Sequence, residues 1–423
     1  MLNVIELFAG VGGFRLGLER NGNFQVVWGN QWEPSKKAQD AFDCYSNNFK
    51  DNGIHSNEDI STVSGSDIPR AEVLVGGFPC QDYSVARSLS GEMGIQGKKG
   101  VLFWEIMRLI EERSQIGMKP KYVLLENVDR LLKSPSKQRG RDFGIMLAAF
   151  NVAGYNVEWR VINAADYGMA QRRRRVFIFA YDKNLKYAKR ILKKTDLKVL
   201  ESEGFFAAKF PVTLPLENIN KTTEGELTED IVSVSDSYNG NFYNSGIMRD
   251  GKFTSMELIP IKKDPVPLLN ILEEEVDEKY YLTDLAKEKF IYLKGPKKVE
   301  RTAASGHSYI FSEGGMSLPE VMTMPGRTML TSEGTVNRST HVVPDKKTGR
   351  WRYLTPIECE RLNGFPDDWT DTGMSERMRY FCMGNALVVN LIQLMADRIF
   401  EIENLEPRNQ ELDSKEEQIT LFG

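Results

Sequence analysis

The sequence predicts an α/β fold: a doubly wound, mostly parallel sheet with a smaller mixed α+β domain set into the chain. Three observations predict it. Short apolar runs alternate with longer amphipathic stretches through residues 1–186, a glycine-rich turn directly follows the first run, and the alternation stops at about Tyr187. From there to Val343 the chain is rich in Lys, Glu and scattered Gly, the texture of a second domain.

The elements follow in order. Val4 to Phe8, Gln25 to Trp28, Val73 to Val75 and Tyr122 to Leu125 are short, β-branched or aromatic, and bounded by Gly, Asn or Pro, so they read as buried strands. Phe103 to Glu112 and Gly144 to Phe150 read as the helices between them. Val157 to Ile162 and Arg175 to Phe179 are strands joined by a connection too short for a helical crossover, which predicts an antiparallel pair. In the second domain Asp250-Gly251 between two apolar runs, Phe242 to Met248 and Phe253 to Leu258, predicts a hairpin. Pro267 to Glu274 and Leu285 to Leu293 read as short helices. Residues 344–403 hold a helix capped by Thr355-Pro356 and another, apolar-periodic, over Ala386 to Glu403. Residues 404–423 form a polar tail.

Composition narrows the class. With 423 residues, 41% of them hydrophobic, the chain can bury a full core. No apolar run reaches the roughly 18 residues of a membrane span and no charged leader precedes an apolar signal core, so a cytoplasmic location is expected. Four cysteines (Cys44, Cys80, Cys359, Cys382) and three histidines are scattered, which suggests neither a disulfide framework nor a metal site. A net charge of -4 argues against indiscriminate polyanion binding, and leaves a local basic face open.

Glu6 to Phe14 places the glycine turn between a strand and a helix, where a backbone passes close to a nucleoside ligand. A tight structural turn fits as well. The third glycine of a dinucleotide fingerprint is replaced by Arg15, which lowers the nicotinamide reading. At the end of the second strand stand Asn30-Gln31-Trp32, with an amide at the ribose position and an indole able to stack on adenine; Asp59 could accept from an adenine amino group.

Val73 to Gln81 is a strand ending in a Phe-Pro turn that carries Cys80. An unpaired cysteine is commonly a small buried hydrophobe. The glycine-rich connection that follows, from Gln81 to about Lys99, is long for a βα loop and is a candidate lid. Glu126 closes the next strand; partial desolvation there favours a proton-donating form, though a structural ion pair fits too. A thiol and an acid at neighbouring strand ends suit nucleophilic addition with protonation. In the run Arg172-Arg173-Arg174-Arg175, strand parity puts Arg173 and Arg175 on one face and the other two opposite.

In this order FAGVGG, GGFPCQ, ENV, QRRRR and GNALVVN resemble the motifs of the DNA (cytosine-5) methyltransferases of bacterial restriction-modification systems, along the whole chain. The resemblance implies a class I, Rossmann-like methyltransferase fold with 1–186 as catalytic domain, 187–343 as target-recognition domain and 344–403 as a segment returning to the catalytic domain. It implies transfer of a methyl group from S-adenosylmethionine, leaving S-adenosylhomocysteine, to C5 of a cytosine in a short double-stranded DNA sequence. By resemblance Phe8, Val11, Gly13, Gln31, Trp32, Asp59, Ile60, Pro79, Leu102, Asn385 and Ala386 contact the donor. Cys80 is the nucleophile, Glu126 meets N3, and Arg175 with Arg173 holds the extruded base and the carboxylate. Gln31 and Ala386 depart from the Glu and Ser usual at their positions. Gln81, Ser84 and Arg87 on the lid, and Arg327, Thr328, Asn337 and Arg338 before the late motifs, are the expected DNA contacts. Cys359 and Cys382 are expected to be structural. A monomer associated with the nucleoid through its DNA is expected, and pairing with a restriction endonuclease is the family habit. An RNA methyltransferase on the same scaffold is the nearest rival, and a non-enzymatic regulator should have lost Cys80 or Glu126.

Overall fold

The computed structural model describes residues 1–34, 36–50, 53–78, 101–302 and 306–407. Pro79, Cys80, Gln81, Ser84 and Arg87, the expected lid and the polar tail from residue 408 on lie outside them.

The first half of the chain runs β1 (Leu2–Leu7), α1 (Gly13–Glu19), β2 (Phe24–Asn30), α2 (Asp40–Asn48), β3 (Ile54–Ser56), β4 (Val73–Gly77), α3 (Val101–Gln115), β5 (Tyr122–Val128), α4 (Arg141–Val152), β6 (Tyr155–Asn163) and β7 (Arg174–Asp182). Next come α5 (Lys186–Ile191), α6 (Asp196–Lys198), β8 (Val212–Thr213), β9 (Thr222–Glu226), α7 (Ile231–Ser237), β10 (Ser245–Arg249), β11 (Lys252–Met256) and β12 (Ile259–Pro260). The last part holds α8 (Asp284–Lys294), β13 (Lys297–Thr302), β14 (Ser308–Glu313), β15 (Val343–Pro344), β16 (Trp351–Arg352), α9 (Pro356–Asn363), α10 (Glu376–Asn385) and α11 (Val389–Glu403).

Ten strands form one sheet in the order β3-β2-β1-β4-β5-β7-β6-β10-β11-β9. From β3 to β5 every pair is parallel; from β5 to β9 every pair is antiparallel. The sheet is therefore mixed rather than mostly parallel. The change falls where helical crossovers give way to short connections and hairpins, which return the chain in the opposite sense. The predicted β6–β7 antiparallel pair is present, as is the hairpin at Asp250-Gly251, whose two turn residues both have positive φ. That hairpin does not stay in the 187–343 segment. It pairs with β6 and lengthens the main sheet.

Side-chain parity explains why the parallel strands are apolar throughout. Val4, Val73, Val75 and Leu124 face a core completed by Phe14 and Leu18 of α1 and Leu391 and Ile392 of α11. Ile5, Leu74, Val123 and Leu125 face a second core with Ile106 and Leu109 of α3 and Met146 and Phe150 of α4. With both faces covered, polar side chains can gather only beyond the carboxyl ends of the strands, which is where a ligand crevice opens.

The late segment packs against α1 and the glycine turn. Arg20 donates to Asn390 Oδ1 at 2.7 Å, and Trp369 Nε1 donates to the Val11 carbonyl at 2.8 Å. Thr355 caps α9 in a capping box with Glu358. The helix predicted over Ala386 to Glu403 starts at Val389, because Ala386 is extended and terminates α10. Pro267 to Glu274 contains a single 3₁₀ turn, Leu268–Ile271.

Candidate active site

β1 delivers Phe8 into the left-handed region (φ 55), and Gly10 and Gly12 follow it there (φ 57 and 86). Glycine carries such angles without a Cβ penalty, and Phe8 bears the strain at the edge of the crevice. Below the turn, Arg15 is fully buried: Nε pairs with Glu19 at 3.2 Å, Nη1 donates to Tyr45 Oη at 3.3 Å and lies 3.0 Å from His55 Nε2. The residue that breaks the dinucleotide pattern is thus a core cation under the turn. Glu6 accepts from Arg15 N at 3.3 Å and from Tyr45 Oη at 3.0 Å, and burial pushes its carboxyl up to about 8.

The turn forms one wall of a cavity of about 830 Å³. Phe8, Val11, Gly13, Gln31, Trp32, Asp59, Ile60, Leu102, Asn385 and Ala386 all line it, so the ten described members of the expected donor set converge from five separate stretches of chain. Gln31 Oε1 accepts from Gly10 N at 2.8 Å. Asn30, 2% exposed, donates to Glu58 O at 2.9 Å and ties the second strand to the Asp59 loop. Asp59 caps the 3₁₀ turn Ile60–Thr62 by accepting from Ser61 N at 3.0 Å.

The opposite wall carries the acid. Glu126 and Arg175 project from β5 and β7, antiparallel neighbours in register Val128↔Arg175, and Arg175 Nε lies 2.8 Å from Glu126 Oε1. Both line the same cavity as the glycine turn. The parity reading of the arginines holds: Arg172 and Arg174 are exposed, while Arg173 is 2% exposed and Arg175 half-buried. Arg173 and Arg175 have different partners. Arg173 donates to the carbonyls of Met329 (3.1 Å), Gly384 (3.0 Å) and Asn385 (3.2 Å), pinning the Met329 loop and the end of α10 to the arginine strand, and burial lowers its pKa to about 9.

Sequence reasoning missed Asn127. It is buried next to Glu126, and its Nδ2 donates to Phe78 O at 2.8 Å, at the root of the segment that leads to Cys80. A polar residue inside an apolar strand was the available signal. Phe14, Phe381 and Leu387 also line the cavity unannounced, because their periodicity reads as core. Cys44, Cys359 and Cys382 are buried free thiols; burial pushes Cys44 and Cys382 up to about 12 and Cys359 well above its usual value.

A model of the C-5 cytosine-specific DNA methylases matches residues 2–401. The chain belongs to that family. As a member of the C-5 cytosine-specific DNA methylases it is an enzyme that methylates C5 of cytosine in DNA, using a methyl donor. The methylase is 56% identical over 408 residues to the Type II methyltransferase M.Sau3AI of Staphylococcus aureus, covering 96% of this chain and 97% of that one. It is 26% identical over 409 residues to the Type II methyltransferase M.HhaI of Haemophilus parahaemolyticus, covering 96% of each. Among solved structures, the S. pombe Dnmt2 methyltransferase (TM-score 0.57, 15% identity, 96% of this chain and 100% of that) shares its fold. So does a Spodoptera frugiperda DNMT2 mutant (TM-score 0.58, 15% identity, 95% of this chain and 100% of that).

The methylase's expected DNA contacts among the described residues are engaged internally. Arg327 pairs with Glu320 at 2.7 Å, and Thr328 Oγ1 donates to Arg172 O at 2.5 Å. Asn337 donates to Ser332 O and Thr340 Oγ1 and accepts from Ser339 N and Thr340 N, which uses both ends of its amide. Arg338 donates to the carbonyls of Leu293, Gly295 and Gly314. No helix among the described residues is long and apolar enough to cross a membrane, and no described group of His, Cys, Asp and Glu is arranged to hold a metal.

Proposed function

We propose that this methylase is the modification enzyme of a restriction-modification system, acting as a monomer on a short sequence in double-stranded DNA, with S-adenosylmethionine as donor and Cys80 as nucleophile. The observation that carries the reading is the Glu126–Arg175 pair facing the same cavity as the glycine turn. The residues fit the donor. The cavity is of the size that takes a nucleoside-sized ligand, with Phe8 and Trp32 offering ring faces and the loop at Asp59 and Ile60 offering polar atoms. S-adenosylmethionine supplies a methyl group on a sulfonium, which departs as the neutral thioether of S-adenosylhomocysteine.

The chain's own residues prepare the base. A cytosine inside a stacked duplex is out of reach, so it is rotated into the cavity, as is general for methyltransferases that act on bases. The Cys80 thiolate adds to C6 while Glu126 protonates or hydrogen-bonds N3, which makes C5 nucleophilic. Arg175 fixes the Glu126 carboxyl through Nε. After the methyl transfer the C5 proton leaves to a base and the C6–S bond breaks, returning the Cys80 thiolate and the aromatic ring. The raised thiols of Cys44, Cys359 and Cys382 support the choice of Cys80.

For recognition, the internal engagement of Arg327, Asn337 and Arg338 supports a framing role for them. The ribbon β13–β14 is exposed along most of both strands, carries Lys298, Arg301, Thr302 and Ser308, and is rooted by Arg338 at Gly295 and Gly314. A two-stranded ribbon is of a width the major groove admits. Bisulfite sequencing of DNA from cells expressing the chain tests the whole reading. Cytosines in one short motif become resistant with the wild type and none with Cys80→Ser. Methylation of total tRNA and not plasmid by the purified enzyme would favour the RNA alternative.

A further inference from the structure

The ribbon β13–β14 rises from a closed base. Met316 N donates at 2.8 Å to the carbonyl of Lys294, the last residue of α8, and both strands of the ribbon lie between these two residues. The strands are exposed along most of their length, so the direction of the ribbon is set by what holds its base.

A buried group of charges holds it. Lys294 is 1% exposed and Glu320 6%. Lys294 Nζ lies 3.1 Å from Glu320 Oε1, and Arg327 brings Nε to 3.1 Å and Nη2 to 2.7 Å of the same oxygen. Arg327 Nη2 also donates to Thr340 O at 3.2 Å. Burial works against the charge on Glu320; the Arg327 hydrogen bond, with His341 and Lys294 nearby, outweighs it and holds the carboxyl below its usual range. Arg327 in turn sits in a loop fastened to the approach to β7. Gly326 N donates to Ala170 O and Arg172 N to Gly326 O, both at 2.8 Å, and Met329 N donates to Gln171 Oε1 at 3.0 Å. Three residues beyond Arg172, Arg175 holds Glu126.

Buried ion pairs are a weak source of stability, since apolar groups of similar volume often serve as well; their best-attested use is to fix one geometry. We infer that Glu320 is a positioning residue for the methylation: by joining Lys294 to Arg327 it sets the ribbon against the arginine strand, so that DNA held on the ribbon presents its target base to Glu126. The inference rests on the proposed reading of the ribbon as the DNA-facing element.

Glu320→Gln alone strands two largely buried cations and can unfold the protein, so the test replaces the whole cluster by apolar groups of similar size. On the full chain, Lys294→Met/Glu320→Leu/Arg327→Met should melt close to wild type and bind S-adenosylhomocysteine as wild type does in calorimetry. Its affinity for a duplex bearing the methylated motif should stay within about threefold of wild type. Its kcat should fall about 10²-fold, the cost of presenting a base roughly an ångström out of place. Wild-type kcat in this variant overturns the inference, as does a fall in kcat matched by an equal loss of DNA affinity, which would give the cluster to DNA binding. A variant that does not fold assigns the cluster to stability and overturns it too. Lys298→Ala/Arg301→Ala tests the ribbon by itself: DNA binding about tenfold weaker is expected, and unchanged binding sinks the reading of the ribbon whatever the triple variant does.

Discussion

Arg175 reaches Glu126 across the β5–β7 pair with Nε, at 2.8 Å, while its Nη1 donates to the Arg174 carbonyl at 2.8 Å. The guanidinium is therefore braced by its own strand and holds the carboxyl at a set height over the cavity. Arg175→Ala should cut kcat by about 10²-fold or more, the ordinary cost of losing an organised acid. Arg175→Lys should recover little, since an ammonium has no planar fork to share between the two acceptors. Transfer of labelled methyl groups to plasmid measures both, and near-wild-type turnover in the Ala variant would remove Arg175 from the mechanism.

Asn127 gives a second handle on the site through backbone. Its donation to Phe78 O fixes the chain two residues ahead of Cys80. Asn127→Ala leaves a buried carbonyl without its donor, at a cost of about 1–3 kcal/mol. A lower unfolding midpoint in denaturant is expected, and a fall in kcat larger than any change in S-adenosylhomocysteine affinity. Loss of affinity with kcat intact would place Asn127 on the donor side instead.

Where the fold was readable, local pattern and burial agreed. The apolar runs of β1, β4 and β5 and the parity of the arginines in β7 could be read because each strand is buried on both faces or carries a clean alternation. The lining of the cavity was legible for a different reason: much of it comes from loops just past strand ends, which sequence marks with Gly, Asn and Pro. What escaped were relations between distant segments. The hairpin at Asp250-Gly251 is a local signal, but its pairing with β6 depends on contacts such as Ile247 opposite Glu158 that no local pattern announces. α2 and β3 went unread because Asp40–Asn48 is mostly polar and Ile54–Ser56 spans three residues. Asn337 and Arg338 have the residue types of base readers, and only the fold shows that their donors are taken up by carbonyls.

That last point can be tested. If Asn337 and Arg338 frame the recognition loops, Asn337→Ala and Arg338→Ala should each lower the melting temperature and weaken DNA binding by a similar factor on every sequence. A base reader behaves otherwise, relaxing specificity at one position of the methylated motif with the melting temperature unchanged. Bisulfite sequencing combined with thermal unfolding separates the two.

Glu6 ties stability to pH. Its carboxyl is fully buried beneath the glycine turn, and burial raises it from 4.5 to about 8 against the opposing pull of Tyr45 and Arg15. In the unfolded chain the same group releases its proton near 4.5, so between these values the folded state holds more protons than the unfolded one. The contribution of Glu6 is then fully present below about pH 4.5 and is lost as pH rises through about 8. Glu6→Gln removes the titration and keeps a carbonyl oxygen able to accept from Arg15 N. Melting temperatures taken from pH 5 to pH 8 should fall less steeply in Glu6→Gln than in the wild type, with the gap between the two narrowing or reversing at the alkaline end. Parallel curves would mean that Glu6 is ionised in the fold throughout, with Arg15 and Tyr45 outweighing its desolvation.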